Sequence, residues 1–110
     1  MTNDKVLSLM GLAKKAGKLK SGEYCVENEI KAKRAKLVIV ALDASDNTKK
    51  HYSDMCSFRH IPMYQYSTKE ELGKHIGCEE RAALVILDEG FASGIKKEIE
   101  RNQSSSEVIE

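Results

Sequence analysis

The chemistry that this sequence offers most clearly is phosphate binding at the start of a helix. Ser21-Gly22-Glu23 lies between two segments rich in basic residues. A glycine at a helix start lets backbone N–H groups come close to a phosphate, and the helix dipole favours an anion there. Basic side chains nearby would add attraction that is independent of base sequence. The basic residues are Lys14, Lys15, Lys18 and Lys20 before the glycine, and Lys31, Lys33, Arg34 and Lys36 after it.

The basic segments also allow a plainer interpretation, because lysine runs often form only a solvated charged surface. Aromatic residues make up 5% of the chain and form no stripe along a predicted strand, so base stacking on a sheet is disfavoured. If nucleic acid binds, we therefore expect helix ends and loops to make the contacts.

Asp43 and Asp88 offer a second kind of chemistry, since each follows a predicted strand. Two carboxylates at one edge of a sheet could hold Mg²⁺ or accept a phosphoryl group. The alternative, which we favour, is that Asp43 starts a turn and Asp88 caps the last helix.

Other catalytic and metal signatures are absent from the sequence. It lacks the glycine-rich motifs of nucleotide-binding loops and the paired histidines of zinc enzymes, and its three histidines are isolated. The three cysteines, Cys25, Cys56 and Cys78, form neither a disulfide framework nor a metal knuckle. We expect no cofactor and no metal.

Length and composition bound the class of protein. The chain has 110 residues, of which 41% are hydrophobic and 32% charged, as in a small globular domain. Net charge is +1, but residues 1–36 carry nine basic against four acidic side chains, which predicts one positive face. The apolar runs are too short to span a membrane, and the N-terminus lacks an export signal core. We expect a cytoplasmic monomer without a membrane partner.

Hydrophobic periodicity places these residues on alternating helices and strands. Five helices are predicted near 4–16, after Ser21, near 46–58, before Gly77 and near 91–101, with N-caps at Ser21, within Asp43-Ala44-Ser45-Asp46 and at either Ser67 or Thr68. Four strands are predicted at 18–20, 37–42, 61–66 and 82–87. This alternation indicates an α/β protein, specifically a three-layer α/β/α sandwich. We expect one domain over residues 1–101 and a polar, disordered tail over 102–110.

Several segments, in order and spacing, resemble one family across about Val6 to Ala92. The segments are Leu9-Met10-Gly11-Leu12-Ala13-Lys14-Lys15-Ala16-Gly17-Lys18, Ser21-Gly22, Ala35 to Ala41 with Asp43-Ala44-Ser45, Ile61-Pro62, Glu71 to Lys74 with Gly77, and Asp88 to Ala92. The chain resembles the L7Ae, L30e and Gadd-type superfamily of kink-turn RNA-binding ribosomal proteins, and within it the small bacterial YlxQ-like group.

The resemblance implies a four-stranded mixed sheet and a non-enzymatic protein that binds ribosomal or other structured RNA. It implies that the start of the second helix and the loop before the last strand face the RNA. The implied RNA-binding residues are Ser21, Gly22, Glu23, Tyr24 and Cys25 with Arg81 and Ala82, and the implied phosphate neighbours are Lys18, Lys20 and Arg34.

The sequence departs from the family pattern at the residues that read guanine edges. Kink-turn binders of the family carry Asn-Glu and a later Lys where this chain has Tyr24, Cys25 and Asn28, and Glu79 and Glu80 replace apolar residues of the second loop. We therefore expect binding through RNA shape and phosphates. The alternative is a protein-interaction module of the same fold.

Overall fold

The described part of the chain alternates between helix and strand throughout, as predicted. A computed structural model describes the backbone of residues 4–109 and the side chains of residues 4–102. The elements are α1 Lys5–Lys15, β1 Leu19–Ser21, α2 Glu23–Lys31, β2 Leu37–Val40, α3 Asp46–Arg59, β3 Met63–Gln65, α4 Lys69–His75, β4 Ala83–Ile86 and α5 Glu89–Ile109.

The four strands form one mixed sheet with the order β1-β4-β2-β3. Strands β2 and β3 are parallel and are joined by α3, whereas β4 runs antiparallel to both β1 and β2. Pro62 lies just before the edge strand β3, where the missing N–H of proline interrupts no ladder. The predicted four-stranded mixed sheet is confirmed.

Helices cover both faces of the sheet. Helices α2 and α3 pack together on one face, and α1 packs against α4 and α5 on the other. Every residue of β2 and β4 is buried, which explains their unbroken apolar sequences. The predicted α/β/α sandwich is therefore confirmed.

Short polar side chains begin most of the helices. Asp4 accepts a hydrogen bond from the Leu7 N–H at 3.0 Å, and Ser45 accepts one from the Thr48 N–H at 3.1 Å. Thr68, rather than Ser67, caps α4 and accepts from the Glu71 N–H at 3.1 Å. These caps hold N–H groups that the first helical turn leaves unpaired.

The predicted cap Ser21 is wrong. Ser21 is the last residue of β1, where it pairs with Leu84, and the cap position of α2 is taken by Gly22 without any side-chain hydrogen bond. Because the strand extends one residue further than expected, the serine hydroxyl points to another partner, described below.

The predicted end of the last helix, near residue 101, is also wrong. Helix α5 continues to Ile109, because no glycine or proline interrupts its sequence beyond Gly94. The predicted disordered tail, 102–110, thus overlaps this helix, and the side chains beyond Asn102 and all of residue 110 lie outside the described residues. Within the described range, no helix is long and apolar enough to cross a membrane.

Candidate functional site

A turn at Gly22 leads from β1 into α2 and leaves backbone donors uncovered. Gly22 has a φ of 94° and a ψ of 147°, a conformation that side chains with a Cβ strongly disfavour. The first intrahelical donor is the Val26 N–H, which donates to the Gly22 carbonyl at 2.9 Å. The N–H groups of residues 23–25 therefore have no acceptor within the helix and are available to an anion.

Arg81, in the loop before β4, is hydrogen-bonded to this turn. Its Nε donates to the Ser21 hydroxyl at 3.0 Å, and its Nη1 donates to the Glu80 carbonyl at 3.0 Å. The Gly22 N–H donates to the Ala83 carbonyl at 3.3 Å. The structure thus joins the start of α2 and the loop before β4, the two segments that the family resemblance assigned to one surface. We name this surface the glycine end and define it as Ser21, Gly22, Glu23, Tyr24, Cys25, Arg81 and Ala82.

The glycine end exposes apolar as well as charged groups. The Tyr24 ring is 79% exposed, and the Cys25 thiol is exposed beside it. Glu23, Glu79 and Glu80 are exposed in the same segments, so carboxylates outnumber the single cation Arg81 there. The expected concentration of positive charge around the start of α2 is therefore wrong.

A group of exposed cationic side chains lies at the opposite end of the sheet. The Leu87 N–H donates to the Lys18 carbonyl and the Lys36 N–H donates to the Ile86 carbonyl, each at 2.8 Å. Lys18 and Lys36 therefore flank the end of β4, whereas Gly22 flanks its start. We name this surface the lysine end and define it as Lys18, Lys31, Lys33, Arg34 and Lys36, all of which are exposed.

Glu29 connects the two predicted phosphate neighbours Lys20 and Arg34. Its carboxylate is buried, accepts from Arg34 Nε at 2.6 Å and accepts from Lys20 Nζ at 3.1 Å. The hydrogen bond from Arg34 holds the pKa of Glu29 below its ordinary value, against an opposing effect of burial. Both cations are therefore partly neutralised by the protein itself.

Glu29 was missed by the sequence analysis. The available signal was its position one residue before the buried Ile30 on an otherwise apolar helix face, together with an arginine five residues later. A carboxylate at a buried position requires a cationic partner, and the partners come from β1 and from the segment after α2.

Asp43 and Asp88 lie at opposite ends of the sheet. Asp43 follows β2 and Asp88 follows β4, and these strands are antiparallel. Each aspartate also has a structural partner: Asp43 accepts from the Lys69 N–H and Asp88 accepts from the Phe91 N–H, both at 2.9 Å. The hypothesis of a joint magnesium or phosphoryl site at these two carboxylates is therefore wrong.

Two further polar side chains, His51 and Tyr52, lie near α2 and differ in their pairing. His51 Nε2 lies 2.9 Å from the Glu27 carboxylate, and the buried Tyr52 hydroxyl has no hydrogen-bond partner within the described side chains. Across residues 4–102, the histidine, cysteine and acidic side chains form no cluster of three that could hold a metal ion.

Comparison with known proteins shows the same family over most of the chain. The ribosomal protein L7Ae/L30e/S12e/Gadd45 family matches residues 4–96. "RNA-binding protein YlxQ" of Bacillus subtilis (strain 168) is 42% identical over 85 residues, which cover 77% of this chain and 85% of that protein. "RNA-binding protein YlxQ" of Enterococcus faecium is 41% identical over 96 residues, which cover 87% and 92%.

Solved structures share the fold. A protein of unknown function from Bacillus halodurans superposes with a TM-score of 0.86 at 35% identity, covering 89% of this chain and 99% of that one. The Giardia lamblia 15.5kD RNA binding protein superposes with a TM-score of 0.74 at 18% identity, covering 94% and 92%. The second likeness shows the fold alone.

Proposed function

This chain belongs to the ribosomal protein L7Ae/L30e/S12e/Gadd45 family, and from that premise we propose that it binds structured RNA and catalyses no reaction. The names of its bacterial relatives support RNA as the ligand. We further propose ribosomal or another folded RNA as the target, the cytoplasm as the compartment, a monomer as the working form and residues 1–101 as the binding domain.

The joint between Ser21 and Arg81 is the observation that carries this proposal. The hydrogen bond from Arg81 Nε to the Ser21 hydroxyl, 3.0 Å long, holds a cationic side chain beside the free N–H groups of α2. A phosphate at this turn would meet backbone donors, a helix N-terminus and a guanidinium group at once. Each of these stabilises an anion, and the guanidinium fork suits phosphate geometry.

The lysine end supplies the remaining attraction. Helix α2 has nine residues and is about 13 Å long, so an RNA strand lying along it reaches both ends. Lys18 and Lys36 would neutralise phosphates at one end while the glycine turn orients the RNA at the other. With roughly 4–6 phosphate contacts, the logarithm of the binding constant falls with log salt at a slope of about −3 to −5.

Tyr24 and Cys25 make guanine-edge recognition a poor fit for this chain. Neither side chain offers the paired donors and acceptors of an Asn-Glu pair, and Asn28 replaces the family's lysine. Recognition of RNA shape through phosphates and sugars remains open to the glycine end, because backbone N–H groups do not depend on those side chains.

A protein-interaction module is the second candidate function. The observation in its favour is the group of exposed carboxylates, Glu23, Glu79 and Glu80, at the glycine end. Negative charge there repels phosphates but suits a basic protein surface.

A fluorescence titration separates the two candidates. A labelled kink-turn RNA and a twin with disrupted G·A pairs are titrated with the full chain at two salt concentrations. Arg81→Gln tests the glycine end, and Lys97→Glu is the control because Lys97 is exposed on α5, away from α2. Lys96 is a poorer control, since it lines one cleft with Lys36.

The outcomes distinguish specific from general binding. Tighter binding of the intact RNA, weakened by Arg81→Gln and unchanged by Lys97→Glu, supports shape recognition at the glycine end. Equal, salt-sensitive binding of both RNAs supports a general phosphate-binding protein. The absence of binding to either RNA at low salt overturns the RNA proposal and favours the interaction module.

A further inference from the structure

A groove of about 480 Å³ lies between α1 and the C-terminal end of α4. Its volume is within the range of about 300–1,000 Å³ that is typical of ligand and anchor-residue sites. Its walls are mostly aliphatic and come from two helices that neighbour each other on the face opposite α2. The lining residues are Leu7, Ser8, Gly11, Leu12, Lys14, Lys15, His75, Ile76 and Gly77.

Gly11 keeps the two helices close and the groove free of side chains. A Cβ at this position would lie 3.0 Å from the His75 carbonyl oxygen, so a larger residue would push α4 away. Gly77 has a φ of 74°, which lets the chain turn sharply at the other wall. The groove is therefore a consequence of backbone packing and does not depend on a movable side chain.

Leu12 is an apolar side chain that the core does not use. It is 54% exposed, whereas Val6, Met10 and Ala13 of the same helix are completely buried. An exposed leucine on the wall of an aliphatic groove gains stability when another apolar side chain covers it.

The rim of the groove is cationic. Lys14 and Lys15 are exposed in the last turn of α1, and no carboxylate of residues 4–102 lies within ion-pairing distance of either. His75 also lies at the rim, where its Nδ1 is 3.0 Å from the Glu71 carbonyl oxygen and 3.6 Å from the Glu71 carboxylate. Charge complementarity therefore calls for an acidic occupant.

The lining favours a protein segment over RNA. Nucleobases bind by stacking on aromatic rings or guanidinium planes, and among the described lining residues the groove offers one such ring, the His75 imidazole, and no guanidinium group. Aliphatic side chains of an amphipathic helix fit such a lining, and acidic residues beside them would meet the two lysines.

We propose that this groove docks an acidic, amphipathic helical segment of another protein. The segment inserts apolar side chains against Leu12 and Ile76 and pairs carboxylates with Lys14 and Lys15. This surface is separate from the glycine end, because α1 and α2 cover opposite faces of the sheet. A bound partner and a bound RNA can therefore occupy the protein together.

The test uses a synthetic amphipathic peptide with leucines at helical spacing and glutamates at its other positions. The uniformly ¹⁵N-labelled full chain is titrated with this peptide, and backbone amide shifts are followed. We expect a saturable change centred on Gly11, Leu12 and Gly77. The same peptide with lysines in place of the glutamates is expected to bind at least tenfold more weakly.

Leu12→Ser is the diagnostic variant, and Phe58→Ser is its matched control. Both side chains are exposed, by 54% and 79%, but Phe58 lies near the end of α3, away from the groove. We expect Leu12→Ser to weaken peptide binding about fivefold, whereas Phe58→Ser leaves it unchanged. Thermal unfolding of each variant verifies that the fold is intact.

No saturable shift at peptide concentrations of about 1 mM, shifts centred elsewhere, or equal binding by Leu12→Ser would each overturn the docking proposal. RNA titration of the same variant is independent of this result. Unchanged RNA affinity in Leu12→Ser, together with weakened peptide binding, supports two separate surfaces.

Discussion

The N-terminal end of helix α2 presents free backbone donors among carboxylates, whereas the lysine end presents exposed cationic side chains. At the glycine end, Gly22 and Arg81 are held in place by hydrogen bonds across the sheet. At the lysine end, Lys18, Lys33 and Lys36 are exposed and Lys36 lies 3.9 Å from Glu89, whereas Arg34 is held by the Glu29 carboxylate at 2.6 Å. The glycine end therefore has donors in defined positions, whereas the lysine end has a net positive charge.

This difference separates two tasks that a single basic patch would combine. Long-range attraction to RNA depends on net charge and is weakened by salt. Discrimination between RNA shapes depends on donors in rigid positions. We therefore expect changes at the lysine end to alter affinity for every RNA, and changes at the glycine end to alter preference among RNAs.

The largest effect is expected from charge reversal at the lysine end. Lys18→Glu combined with Lys36→Glu removes two phosphate contacts and adds repulsion, so binding of both titrated RNAs should weaken by about 10–100-fold at low salt. The salt slope should become shallower by about 2. Fluorescence titration at several salt concentrations measures both quantities, and an equal loss in Lys97→Glu would remove the distinction between the two ends.

Glu29 joins β1 to the segment after α2, and its removal should cost stability. Glu29→Gln replaces a buried carboxylate that accepts from Arg34 and Lys20, and we expect unfolding free energy to fall by about 2 kcal/mol. Urea denaturation measures this. Glu27→Gln is the control, because within the described side chains Glu27 pairs with His51 alone, at the surface, and equal losses in the two variants would contradict the role of the buried pair.

The same carboxylate predicts a pH dependence. The folded-state pKa of Glu29 lies below the ordinary value of 4.5. The contribution of its carboxylate to the stability of the folded protein is therefore complete above pH 4.5 and is lost as pH falls through the lowered pKa. The unfolding free energy of the native protein should therefore fall in acid, and that of Glu29→Gln should fall less steeply as the pH decreases.

Arg81→Gln should have a smaller effect that depends on the RNA. It removes the guanidinium group beside the glycine turn, and we expect about a tenfold loss for the RNA of preferred shape and little loss for its disrupted twin. The ratio of the two dissociation constants is the measured quantity. A uniform loss would mean that Arg81 acts only as another phosphate contact.

The smallest effect is expected beneath the glycine end, at Tyr52. Burial raises the pKa of its hydroxyl well above the ordinary value, and that hydroxyl has no partner within the described side chains. Tyr52→Phe should leave RNA affinity unchanged and raise unfolding free energy by up to about 1 kcal/mol. A clear loss of stability by calorimetry would reveal a partner for the hydroxyl.

The fold was predictable because its signals are local. Neighbouring residues are enough to predict three of its features: the apolar stretch Leu37 to Val40, the caps Ser45 and Thr68, and the edge position of Pro62. Prediction of the site was less complete. Periodicity does not encode the direction of a strand. Strand direction decides which end of the sheet carries Lys18 and whether Asp43 lies close to Asp88.

Long-range pairing limited the rest of the prediction. Lys20 is equivalent to other basic residues in sequence, yet it binds Glu29, and this follows only from the packing of α2 against β1. Ser21 resembled a helix cap because serine favours that position. Its pairing with Leu84, far along the chain, keeps it in the strand instead.

The pairing of β1 with β4 also determines when the glycine end can form during synthesis of the chain. Leu19 aligns with Ile86, so the glycine turn gains its Arg81 partner only after most of the chain has been synthesised. Contacts so distant in sequence form late, because closing a long loop costs entropy before the contacts form. A nascent chain that has exposed only α1 to α3 therefore carries the lysines but lacks the joint with Arg81, and the surface that we propose to be shape-selective is completed near the end of translation.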